Sequence, residues 1–159
     1  MKAMKTTSLF LTFSLLFSTA FAGGEEELRK LVDDYAASVN ELDMDLAASI
    51  WSRTDDVTFI QPRGHQRGWD QVKNNFYLGA MNNFSQRDLK VSDLKVQLLG
   101  EDAAWGEFYW EFNATFKKDG QEISSKGRET QVWKKEQGRW KIVHVHYSGM
   151  PVTGEREGF

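Results

Sequence analysis

The chain has 159 residues, no cysteine, 20 basic against 23 acidic side chains and a formal net charge of −3. That length sets one domain with one core, the lack of cysteine excludes a disulfide framework, and a mildly acidic balance gives no footprint for a nucleic-acid partner. Six Trp and eleven Phe supply the material for an apolar core instead.

Residues 1–22 read as an export signal and stand apart from the fold. Lys2 and Lys5 make a basic start, Leu9 to Phe17 is apolar apart from Thr and Ser, and Ala20-Phe21-Ala22 is a small-residue cleavage site before Gly23. The apolar run is shorter than the roughly 20 residues that span a bilayer. The expected product is an exported, periplasmic or secreted domain with no membrane segment.

From Glu25 the pattern is helical, with Leu28, Leu31, Val32, Tyr35, Ala36 and Val39 on one stripe. Glu25, Glu26 and Glu27 are expected in its first turn, where the helix dipole favours negative charge. Asp43 has the form of an N-cap for a short second helix that turns Leu46, Ala47, Ile50 and Trp51 inward. Asp56 to Gln61 reads as a strand, Pro62 to Gly68 as the loop after it, and Trp69, Val72, Phe76 and Ala80 as the stripe of a third helix ending near Asn82-Asn83.

Only strands are expected beyond that point. From Leu89 to Leu99 the alternation changes phase, since Leu89 and Val91 share a parity that Leu94, Val96 and Leu98 do not. One extra residue near Ser92-Asp93 restores a single buried face, which predicts a β-bulge. In the next strand Phe108, Trp110, Phe112, Ala114 and Phe116 face inward, and Asp119-Gly120 marks a hairpin turn.

The closing stretch, Arg128 to Pro151, reads as a second hairpin reversed at Glu136-Gln137-Gly138-Arg139. Its alternation puts Val143, Val145 and Tyr147 on one face and Ile142, His144, His146 and Ser148 on the other. The order helix, helix, strand, helix, four antiparallel strands defines an α+β domain. A strongly curved, mostly antiparallel sheet wrapped around the N-terminal helices makes a cone over residues 23–151, followed by a mobile tail at 152–159.

The segments GEDAAWGEF (Gly100 to Phe108) and RETQVWKKEQGRWKIVHVHYSGMP (Arg128 to Pro151) resemble the association domain of calcium/calmodulin-dependent protein kinase II. More broadly the chain is similar to SnoaL-like members of the nuclear transport factor 2-like superfamily. The resemblance covers nearly all the chain after the signal; it is specific in the last two hairpins and loose in the helices. It implies a conical fold, assembly through the sheet, and a deep pocket between the first helix and the concave sheet face. The arginines that bind small carboxylates in the association domain fall on Trp110, Gln131 and Tyr147, so an anionic ligand is not implied. The same correspondence turns Phe108, Trp110, Phe112, Glu129, Gln131, Trp133, Val145 and Tyr147 inward.

Glu129 is the candidate acid or base, because a carboxyl desolvated by aromatic walls is held near neutrality; pairing with Arg128 or Lys126 is the bland alternative. Ketosteroid isomerase, of the same superfamily, uses a carboxylate with polar donors in such a pocket. Tyr35, Phe108, Trp110, Gln131, Trp133 and Tyr147 are the candidate ligand pocket, with Tyr77 a further donor. His144 and His146, with His65, lack the companions of a metal site, so no metal or cofactor is expected. Both lie instead on an outer face with Trp105, Tyr109, Val132, Trp140 and Ile142, a patch suited to a homodimer. Three readings follow: a domain that binds a small, mostly apolar or neutral molecule; an isomerase, cyclase or hydratase using Glu129; and a structural oligomerisation module.

Overall fold

The computed structural model describes residues 11–150, with side chains from Gly23 onward. The start of the expected signal (1–10) and the expected tail (152–159) lie outside the described residues. Helix α1 runs Leu11–Glu41, so the backbone of residues 11–22 is helical as well. Glu25, Glu26 and Glu27 are therefore not in a first turn of the uncut chain, because the apolar run ahead of them continues the helix. No helix among the described residues is long and apolar enough to cross a membrane.

The expected stripe of α1 is the buried one, with Leu28, Leu31, Val32, Tyr35 and Val39 all within the core. Asp43 caps α2 (Met44–Ile50), its Oδ1 accepting from the backbone of Asp45 and Leu46 at 3.0 and 2.9 Å. Two polar ties fix the far end of α1 to the sheet. Arg87 donates to the carbonyls of Val39 and Asn40, and the Asn40 amide exchanges hydrogen bonds with the backbone of Leu89. Tyr35 and Val39 are thereby held over the concave face.

Six strands form one sheet in the order β2-β1-β6-β5-β4-β3. They are β1 (Thr58–Gln61), β2 (Gly64–Arg67), β3 (Phe84–Leu98), β4 (Ala103–Phe116), β5 (Glu122–Glu136) and β6 (Arg139–Gly149). All pairs are antiparallel except β1 with β6. The fold is the expected α+β cone. Gln137 and Gly138, with φ of 50° and 78°, make the two-residue reversal that pairs Glu136 with Arg139. The β3 bulge is also where the phase change puts it: Ser92 pairs Tyr109, Lys95 pairs Glu107, and Asp93 sits at φ 54°.

Three expectations are corrected. The stretch expected to be a loop, Pro62 to Gly68, contains β2, which pairs with β1 around a Pro62-Arg63 turn. Its inward residue is the polar Gln66, so no apolar alternation announces the strand. The third helix is α3 (Trp69–Gln71) leading into a π-helix at Val72–Ala80 and a 3-10 turn at Met81–Asn83. The wider turn lets the adjacent Phe76 and Tyr77 both bury their rings.

The third correction concerns the outer patch. A second bulge leaves Val143 unpaired, because Val132 pairs His144 while Trp133 pairs Ile142. The inserted residue reverses the parity of β6 toward the hairpin turn. Trp140 and Ile142 consequently join the core, at 6% and 0% exposure, instead of lying beside the histidines. The outer face keeps Trp105, Tyr109, Val132, His144 and His146.

Candidate functional site

Two tryptophans shape the concave face by crossing glycines on neighbouring strands. A Cβ at Gly106 would lie 2.2 Å from the Trp133 ring, and one at Gly127 would lie 2.5 Å from the Trp110 ring. Only glycine admits so close an approach. Trp110 is thereby laid against Tyr147, edge to face with centroids 5.5 Å apart and planes at 84°.

Between these rings and α1 lies a cavity of about 90 Å³, within a cleft of about 420 Å³ counted out to solvent. Of the candidate pocket residues Tyr35, Trp110 and Tyr147 line it, together with Glu129, the candidate acid or base. Val39, Phe76, Met81, Leu89, Phe112 and Ser125 complete the lining. Phe112 and Val39 were legible as inward residues. Phe76 reaches the wall from the stripe expected of the third helix, whereas Met81, in the 3-10 turn after the π-helix, has no periodic signal that announces it.

The remaining expected pocket residues stand behind the wall. Phe108 is buried, and Gln131 and Trp133 are fully enclosed. Trp133 Nε1 donates to Gln131 Oε1 at 2.8 Å, and Gln131 Nε2 donates to Glu129 Oε1 at 2.7 Å. This chain fixes the Gln131 amide, since an indole N–H can only donate. Tyr77 is spent elsewhere, bonded to Ser38 Oγ at 3.0 Å and to Trp51 Nε1 at 3.1 Å.

Glu129 pairs with neither Arg128 nor Lys126; its side chain is 5% exposed and meets Gln131. Burial pushes its carboxyl up to about 8, against the opposing pull of Gln131 and a contact from the Tyr35 hydroxyl. The carboxyl is therefore mostly a neutral acid at pH 7. Tyr147, which donates to Gln61 Oε1 at 2.7 Å, is raised to about 12 by burial and then by Glu129, with Arg63 opposing. Burial and Glu129 also hold the Tyr35 phenol well above its ordinary range. Among the described residues no charged group other than Glu129 lines the cavity.

On the outer face, His144 Nδ1 lies 2.6 Å from Thr58 Oγ1, and burial followed by its two fellow histidines lowers its pKa. Among the described residues no group of three or more His, Cys, Asp or Glu side chains is arranged to hold a metal.

A cone of N-terminal helices and a six-stranded, mostly antiparallel curved sheet is the fold of nuclear transport factor 2-like domains. The SnoaL-like domain signature matches residues 28–153, and the chain belongs to that family. A nuclear transport factor 2-like superfamily protein from Salmonella enterica is 38% identical with a TM-score of 0.81, covering 90% of this chain and 99% of that one. The association domain of calcium/calmodulin-dependent protein kinase II from Caenorhabditis elegans has a TM-score of 0.63 at 23% identity, covering 82% of this chain and 98% of that one. The Caenorhabditis briggsae kinase of that type is 35% identical over 78 residues, which are 49% of this chain and 14% of the kinase.

Proposed function

We propose that this chain is an exported binding domain that takes a small, mostly apolar, neutral molecule into the cavity between α1 and the concave sheet face. The observation that carries this is Glu129: a buried carboxyl, mostly neutral at pH 7, at the wall of an apolar cavity lined, among the described residues, by no other ionisable acid or base of ordinary range. A pocket of this kind orients its guest through a few polar groups and holds it by apolar contact. Thermal melting across a collection of small neutral metabolites tests the reading. A raised melting temperature with at least one of them, lost in a Phe112→Trp variant that fills the cavity, is the expected result.

The outer face supports self-association. Tyr109 is 43% exposed there, on the same side of β4 as the half-buried Trp105, which pairs with the half-buried Val132, and the similar structures include the association domain of calcium/calmodulin-dependent protein kinase II from Caenorhabditis elegans. The proposed unit is a homodimer through this face.

A second reading rests on the position of the Glu129 titration. A carboxyl that titrates near 8 exchanges protons readily at physiological pH, as a general acid or base of an isomerase, cyclase or hydratase must. Turnover of a bound compound that disappears in Glu129→Gln while binding persists would establish it.

A further inference from the structure

Resting on the binding reading above, we infer that the guest carries a carbonyl-type hydrogen-bond acceptor, taken by the Trp110 indole N–H together with the acid form of Glu129, and that the site rejects amines and carboxylates. Three buried side-chain polar atoms have no partner among the described residues: Gln66 Oε1, Trp110 Nε1 and Trp140 Nε1. Of the three residues, Trp110 alone lines the cavity. A buried donor without an acceptor is costly, and a bound oxygen relieves that cost. Since an indole nitrogen carries a hydrogen and no free lone pair, its missing partner can only be an acceptor.

The other polar groups of the wall point the same way. Tyr147 already donates to Gln61, the Tyr35 hydroxyl is engaged with Glu129, and Gln131 holds Glu129 Oε1 from behind; Ser125 is the remaining hydroxyl of the wall. An ammonium group would meet the indole hydrogen head-on, and a carboxylate would meet Glu129 with no basic residue in the lining among the described residues. The interior, about 90 Å³, is smaller than the roughly 150 Å³ cavity that admits benzene. It therefore takes only the polar end of a guest, and even a five-membered ring leaves part of itself in the cleft of about 420 Å³.

Three probes of one shape test this: cyclopentanone, cyclopentane and cyclopentylamine, titrated into the full chain while the indole N–H resonances are followed by NMR. The expected result is that cyclopentanone binds, moves the Trp110 Nε1–H resonance downfield, and binds roughly tenfold more weakly to Trp110→Phe, which keeps a ring in place. Its affinity is level below pH 7 and falls above pH 8, as Glu129 loses the proton it donates. Cyclopentane binding as tightly as the ketone, or an unmoved Trp110 resonance, overturns the acceptor inference and leaves the pocket reading standing. Preference for cyclopentylamine, with affinity rising through pH 8, replaces it with a cation site. If none of the three binds, both the inference and the pocket reading fail.

Discussion

Gln131 donates through Nε2 to Oε1 of Glu129 at 2.7 Å, and it can do so only because Trp133 claims the other end of the amide. The carboxyl is thus anchored from behind by a neutral donor, with no cation to balance a charge. Its proton is the arrangement's weak point.

The first prediction concerns pH and stability. Glu129 has its folded pKa raised above the ordinary value, so the folded state holds a proton that the unfolded chain releases between about 4.5 and 8. Its contribution is complete below that window and is lost as pH rises through it. At pH 7 the deficit is about 3 kcal/mol. Glu129→Gln, which cannot titrate, is expected to melt higher than the parent at pH 8 and to lose that advantage at pH 4.5, as calorimetry at the two pH values would show.

The second concerns the β6 bulge. Ile142 is fully buried and Val143 is the unpaired residue. Ile142→Ala should cost about 2–5 kcal/mol in urea unfolding, and Val143→Ala less than about 1 kcal/mol. Unbroken alternation along β6 demands the reverse order.

The third concerns the crossed glycines. A methyl at Gly127 would lie 1.9 Å from the carbonyl oxygen of Ser148 and also strike Trp110, whereas at Gly106 it meets Trp133 first. Both alanine variants should lose about 1–3 kcal/mol. Gly127→Ala is expected to lose more, because its nearest neighbour is backbone, whereas the nearest neighbour at Gly106 is a side chain and the Lys95 carbonyl oxygen lies farther off, at 2.8 Å. Denaturant titration with tryptophan fluorescence reads both the stability and the displaced indoles.

The fourth concerns assembly. Tyr109→Arg combined with Val132→Arg places two charges on the outer face without touching the cavity. Light scattering at micromolar concentration should give a dimeric mass for the parent and a monomeric mass for the variant, with the folded circular dichroism spectrum retained.

Much of this molecule can be read from its residues in order. The helical stripe from Leu28 to Val39, the Asp43 cap, the turns at Asp119-Gly120 and Gln137-Gly138, and the bulge near Asp93 all follow from periodicity and turn chemistry, which depend on residues a few positions apart. That Glu129, Gln131 and Trp133 share one face follows from alternation as well, and the family resemblance implies that this face, with Tyr147, is the inward one. Tertiary structure alone decided the rest. Strand β2 exists because β1 offers it an edge, and Trp140 and Ile142 are buried because pairing with β5 expels Val143 from the register. The Glu129 carboxyl keeps its proton because α1 and the aromatic rings brought over it from other parts of the chain exclude water. Alternation is a local property, whereas register and dehydration are set by whatever the fold lays alongside.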